Sequence, residues 1–134
     1  MVKILIMGLP GSGKTTLSKE LGKKVKGYRL NADKVRKDFD DWDFSREGVL
    51  RQAKRMSILA KKIRRKIIIA DFVCPFKEGR KIFKPDYLIW MDTIKKGRYP
   101  TFNKTFQKPK KYDFRIKTKN AKKNSKIIAK YILR

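Results

Sequence analysis

The chain has 134 residues and a formal net charge of +26, from 38 lysines and arginines against 12 aspartates and glutamates. That length suits one α/β folding unit over residues 1–134 and leaves no room for a second. With no histidine and Cys74 as the single cysteine, an internal disulfide, a cysteine-based zinc site and a histidine-dependent triad are excluded.

So strong a positive potential draws in polyanions, either phosphorylated small molecules or nucleic acid. The lysines run through every segment, as AT-rich codon usage would spread them, and no clustered aromatic platform accompanies them. Composition is therefore the preferred source of the charge, with nucleic acid kept as a partner to test. No stretch approaches the roughly 18 apolar residues of a membrane span. The apolar start, Met1–Met7, stops at Gly8 without a small-residue cleavage signal. The expectation is a cytoplasmic protein with no membrane partner, either a monomer or a homodimer.

In chain order, Val2–Met7 reads as a strand ending in a glycine loop, and Thr15–Lys24 as a helix with Leu17 and Leu21 facing inward. A short strand over Gly27–Asn31 precedes a helical turn over Ala32–Lys37. Ser45 is placed to cap a long helix through Arg65, with Leu50, Ala53, Met56, Ser57 and Ala60 on its apolar face. Ile67–Ala70 and Asp86–Met91 are continuous apolar runs of the buried parallel type, separated by a short helix over Lys77–Phe83. Residues 94–111, rich in Gly, Pro, Lys and Thr, read as a mobile, lid-like loop. A last strand near Tyr112–Ile116 and a helix over Lys119–Leu133 close the chain. Strands alternating with helices predict an α/β fold, a parallel sheet of about five strands covered by helices on both faces.

Gly8-Leu9-Pro10-Gly11-Ser12-Gly13-Lys14-Thr15 follows the first strand and opens the first helix. A glycine-rich turn there lets backbone N–H groups surround a phosphate at a helix N-terminus without steric intrusion. Lys14 then reaches the β- and γ-phosphates, the Thr15 hydroxyl serves Mg²⁺ and Thr16 the α-phosphate. The context of strand, loop and helix identifies a P-loop NTPase fold that takes ATP with Mg²⁺. Asp71 ends the Ile67–Ala70 run, where P-loop proteins often keep a metal-binding carboxylate, so it either binds Mg²⁺ or caps a loop.

The extended string through Thr16 and Leu17 resembles the start of adenylylsulfate kinases, which pass the γ-phosphoryl group of ATP to the 3′-hydroxyl of adenylylsulfate for sulfate assimilation. Further along, Leu30, Asp33 and Arg36 match a Leu-Asp-Gly-Asp-Asn-x-Arg signature, and Phe44-Ser45-Arg46-Glu47 matches Phe-Ser-x-Glu. Cys74-Pro75-Phe76-Lys77 is similar to Ser-Pro-Tyr-Arg, and Met91-Asp92-Thr93 to Val-Asp-Thr. Arg98-Tyr99 with Phe106-Gln107-Lys108-Pro109 is similar to the lid motif. Departures accompany these matches. Asn31 and Ala32 replace Asp and Gly, Gly48 and Val49 replace Asp and Arg, and Gln52 stands at a substrate-contacting Asn. Cys74 replaces a serine, and only residues 93–97 separate Asp92 from Arg98, as in shortened phage-type members.

The resemblance implies catalytic roles for Lys14 and Asp33, the latter orienting or deprotonating the acceptor hydroxyl or holding a Mg²⁺-bound water. A plain N-cap is the alternative for Asp33. Arg36 would grip the phosphosulfate, Gln52 would contact the substrate, and Phe44 and Phe76 would sandwich its adenine unless they are core. Arg98 and Lys104 would close from the lid unless they are ordinary surface charges. Two other readings stay open: a 5′-hydroxyl polynucleotide kinase, and a catalytically silent module binding nucleotide or nucleic acid.

Overall fold

The apolar run near the N-terminus forms β1 (Val2–Met7), the central strand of the sheet. The computed structural model describes residues 1–134, in which β1 is followed by α1 (Lys14–Val25), β2 (Tyr28–Asn31), α2 (Ala32–Asp38) and α3 (Arg46–Lys62). Next come β3 (Ile67–Asp71), α4 (Lys77–Phe83), β4 (Tyr87–Met91), α5 (Pro100–Thr105), β5 (Phe114–Ile116) and α6 (Ala121–Leu133). The sheet order is β2-β3-β1-β4-β5 and every pairing is parallel.

Period-two geometry divides β1 between two cores. Ile4 and Ile6 pack with Leu17 and Leu21 of α1 and Ile128 of α6. Leu5 and Met7 pack on the other face with Val35 of α2, Ala53 and Met56 of α3, and Phe83 of α4. Each such fully buried aliphatic side chain stabilises the fold by about 1.5–3 kcal/mol, which is why the central strands are apolar throughout. The chain crosses from one side of β1 to the other between β3 and β4. Parallel sheets bind ligands at the carboxyl edge beside such a switch, and the glycine loop lies at that edge of β1.

Element boundaries depart from expectation by a few residues for local reasons. The long helix stops at Lys62, not Arg65, because Ile63 turns extended (φ −83°, ψ 122°) to feed β3. Gly27 stays outside β2, its N–H donating to the Gly22 carbonyl in the turn that ends α1. α6 starts at Ala121, where Asn120 accepts from the Lys123 N–H. Residues 94–111 are not loop throughout. Pro100 opens α5, and the buried Phe102 ties that helix to Leu9, Val49 and Phe76.

Candidate active site

α1 opens at Gly13, whose left-handed backbone (φ 99°) ends the loop, and no side chain caps the helix. Its first N–H groups have no carbonyl one turn back to bind, so they are left for an anion. The loop's own carbonyls are held elsewhere. Lys14 Nζ donates to Gly8 O and Leu9 O at 2.9 and 3.0 Å, Lys119 Nζ to Gly11 O at 2.9 Å, and Thr93 Oγ1 to Ser12 O at 2.7 Å. Gly8 is required for a second reason: at φ 156° a Cβ there would stand 2.7 Å from Met91 O.

A cavity of about 440 Å³ adjoins the loop. Gly11, Lys14 and Thr15 line it, together with Pro10, whereas Gly8, Leu9, Ser12 and Gly13 shape the loop from outside the lining. Thr16 is exposed and also lies outside it. Burial pushes the Lys14 ammonium down to about 8, opposed by Asp71 and Asp33 and reinforced by Arg98. Those four charges therefore share one electrostatic neighbourhood.

Asp33 stands exposed on the cavity wall at the start of α2. The capping role belongs to Asn31, whose Oδ1 accepts from the N–H groups of Asp33 and Lys34, which leaves the Asp33 carboxylate free. Arg36 lines the cavity but is largely buried. Its Nη1 donates to Asp41 O at 2.9 Å and Asp43 O at 3.3 Å, and its guanidinium lies 4.6 Å from the Phe44 ring centroid. Gln52 reaches the lining with both polar atoms engaged, Nε2 on Ala32 O and Oε1 on Arg55 Nη1.

The aromatic wall differs from expectation. Phe44 reaches the cavity, but Phe76 does not: it is 8% exposed and packs among Leu9, Val49 and Phe102 beneath the Arg46 guanidinium. Helix α4 starts at Phe76 with no side-chain cap, and the ring turns into the core rather than the cavity. The ring stacked on Phe44 is Tyr99, at 6.1 Å between centroids and 22° between planes, with Phe102 edge-on to both. Arg98 lines the cavity next to Tyr99, and Lys104 is exposed away from it.

The lid segment is held at both ends. Gly97 N donates to Asn103 Oδ1 at 2.7 Å, Asn103 Nδ2 donates back to Gly97 O, and a Cβ on Gly97 would lie 2.8 Å from Pro10 O. On its return, Gln107 N donates to Pro75 O, and the buried Arg80 bridges the carbonyls of Cys74, Pro75 and Gln107. Cys74 itself adopts φ 44°, a conformation costly for a side-chain-bearing residue, and burial pushes its thiol up to about 12. It is not a nucleophile at neutral pH.

Arg29, Trp42 and Arg80 are not singled out by the sequence. Arg29 Nε and Nη2 both bind Asp71 Oδ2, at 2.9 and 2.8 Å, and the Asp71 side chain is only 2% exposed. Burial raises the Asp71 carboxyl, and Arg29 opposes the rise. A clue did exist: a carboxylate ending an apolar strand needs a cation, and Arg29 lies within a neighbouring strand with Tyr28 and Leu30 beside it. Trp42, half exposed on the cavity wall, leaves no such trace.

A five-stranded parallel sheet carrying a phosphate loop at its switch point, with cations and a free carboxylate around one cavity, defines a P-loop phosphotransferase. Residues 1–88 match the family described as Adenylylsulphate kinase, and the chain belongs to that family. No curated protein sequence matches it.

Among solved structures, an APS kinase CysC of Mycobacterium tuberculosis in complex with AMPPNP and APS is similar at a TM-score of 0.85 and 18% identity, covering 99% of this chain and 98% of that one. A shikimate kinase from Acinetobacter baumannii in complex with shikimate is similar at 0.67 and 15% identity, with 99% and 93% covered. A gluconokinase from Sinorhizobium meliloti is similar at 0.59 and 10% identity, with 98% and 95% covered. At these identities the likeness is one of fold. No helix is long and apolar enough to cross a membrane.

Proposed function

We propose that this kinase transfers the γ-phosphoryl group of ATP to the 3′-hydroxyl of adenylylsulfate, giving 3′-phosphoadenylylsulfate and ADP in sulfate assimilation. The observation that carries this reading is one cavity lined by the phosphate loop, a free carboxylate, and an arginine- and aromatic-lined wall. The relative crystallised with AMPPNP and APS supports the same pair of substrates.

Lys14 leaves the Gly8 and Leu9 carbonyls to balance the β- and γ-phosphates, which the loop amides surround. Asp33 accepts the proton of the acceptor hydroxyl as its oxygen bonds to the γ-phosphorus and the bond to the β–γ bridging oxygen breaks. Arg98 offsets charge on the transferred group, and stacking against Phe44 and Tyr99 orients the purine.

No group of three or more acidic, cysteine or histidine side chains is assembled to hold a metal. Mg²⁺ fits this site nonetheless, because it takes most of its ligands from substrate phosphates and water and needs few from protein. Thr15 would hold it directly, and Asp33 through a bound water. When bound it would neutralise charge on the transferring phosphoryl group and its leaving group.

The test offers γ-labelled ATP with adenylylsulfate or with a 5′-hydroxyl oligonucleotide. Label in 3′-phosphoadenylylsulfate is the expected result. Label on the oligonucleotide alone, which the +26 charge would favour, makes the protein a polynucleotide kinase. Nucleotide binding with no transfer to either makes it a silent binding module.

A further inference from the structure

Asp71 and Arg29 form the one buried ion pair on the wall of the cavity, and the proposed transfer does not use it. Asp71 ends β3 in register with Ile6 of β1 and Asn31 of β2, so its carboxylate sits beside the loop that receives phosphate. Such a position invites a metal. The carboxylate is already spoken for, because Arg29 places two nitrogens on Oδ2.

The same guanidinium reaches α1. Nε is 2.7 Å from Ser18 Oγ, and Nη2 is 3.5 Å from Thr15 Oγ1. One cation therefore joins β2 and the end of β3 to the first two turns of the phosphate-binding helix. The remaining carboxylate oxygen, Oδ1, is fully buried and has no partner. A hydrated divalent cation sheds its waters reluctantly, and that oxygen exposes no surface to it. At Oδ2 it would have to displace Arg29 while Lys14 stands nearby.

We propose that Arg29 is a positioning residue that holds Asp71 out of metal coordination, so that the divalent cation enters only as part of the nucleotide complex and meets Thr15 rather than Asp71. The pair thus supplies the loop with a fixed, neutral neighbour in place of a standing metal site. The inference rests on the nucleotide reading only for the second half of that statement. The first half concerns the free protein and is testable without nucleotide.

Manganese binding, followed by electron paramagnetic resonance on the folded 134-residue chain, provides the test. Without nucleotide, the wild type is expected to bind no Mn²⁺, Arg29→Gln is expected to gain a site by releasing the Asp71 carboxylate, and the double variant Arg29→Leu/Asp71→Ala is expected to lose that gain. Apolar replacement of both partners keeps the double variant folded where a single change strands a buried charge. With ADP present, Asp71→Asn is expected to change Mn²⁺ affinity by less than about fivefold, since loss of even an outer-sphere contact typically costs 10–100-fold.

A Mn²⁺ site in the nucleotide-free wild type that disappears in Asp71→Asn would overturn the proposal, as would a folded Arg29→Gln that gains nothing. Should Arg29→Gln fail to fold, the Asp71→Asn complex decides, and a loss beyond about fivefold makes Asp71 a ligand. ADP binding with Mg²⁺ present, measured by calorimetry, reports separately on the nucleotide reading: its absence breaks that reading and leaves the nucleotide-free Mn²⁺ arms intact.

Discussion

At the phosphate-loop end of the cavity the binding surface is backbone, whereas at the aromatic end it is side chains drawn from separate stretches of chain. The loop's carbonyls are occupied by Lys14, Thr93 and Lys119, so its amides have one direction left to serve. Phe44, Tyr99 and Phe102, by contrast, meet only because Arg36 props the 41–44 loop and Asn103 clamps Gly97. A backbone-built site tolerates wide change in its surroundings. A side-chain-built site inherits the fragility of every brace behind it.

The largest effect should come from breaking the backbone end. Lys14→Ala is expected to lower kcat by about a hundred- to a thousand-fold, because the change removes charge aimed at phosphate. Turnover within a few-fold of wild type would show that the loop alone carries the chemistry.

Next in size is a brace of the aromatic end. Arg80→Ala strands three buried or half-buried carbonyls, at Cys74, Pro75 and Gln107, and is expected to cost about 3 kcal/mol in urea unfolding. The acceptor KM should rise more than that for ATP, which sharpens the contrast between the two ends. Equal increases in both would mean that the ends are not independent.

Gly97→Ala puts a methyl group 2.8 Å from Pro10 O, where the two ends touch. It is expected to lower kcat about tenfold, consistent with 1–3 kcal/mol of overpacking, with nucleotide affinity unchanged by calorimetry. Phe44→Ala should raise the acceptor KM about fivefold, one stacked ring being worth roughly 1 kcal/mol.

The smallest effect is a proton. Lys14 is depressed to about 8 in the free protein by burial, and phosphate oxygens restore its preference for the charged form. ADP binding at about pH 8.5, where the ligand's phosphates are fully ionised, should therefore take up a fraction of a proton, and binding to Lys14→Ala at the same pH none. Calorimetry in buffers of different ionisation enthalpy measures this. For folding the sign is opposite to that of a stabilised lysine: the penalty for burying the ammonium is fully present below the folded value and is relieved as pH rises from about 8 towards the ordinary lysine value. Proton release on binding would contradict the assignment of Lys14 to the phosphates.

The elements were legible because each announces itself locally. The Ile67–Ala70 run, the Ser45 cap and the glycine loop are read within a few residues of themselves. Phe76 stays open between stacking and core in the sequence because a residue before a helix start can face either the cavity or the core, and only the packing of Leu9 and Val49 decides for the core. Helix α5 was missed because Gly, Pro and Thr in residues 94–111 signal a loop, whereas burial of Phe102 overrides that propensity.

What the amino-acid order determined by itself is the β1–loop–α1 unit and hence phosphate binding, since backbone amides need only the right dihedral angles and the right glycines to form that site. The tertiary structure alone decided that Arg29 meets Asp71, that Tyr99 rather than Phe76 faces Phe44, and that Arg80 pins the lid's return. Those contacts join residues distant in the chain, and their energies depend on which side chains the sheet order brings within a few ångströms of one another. No local period or motif encodes that distance.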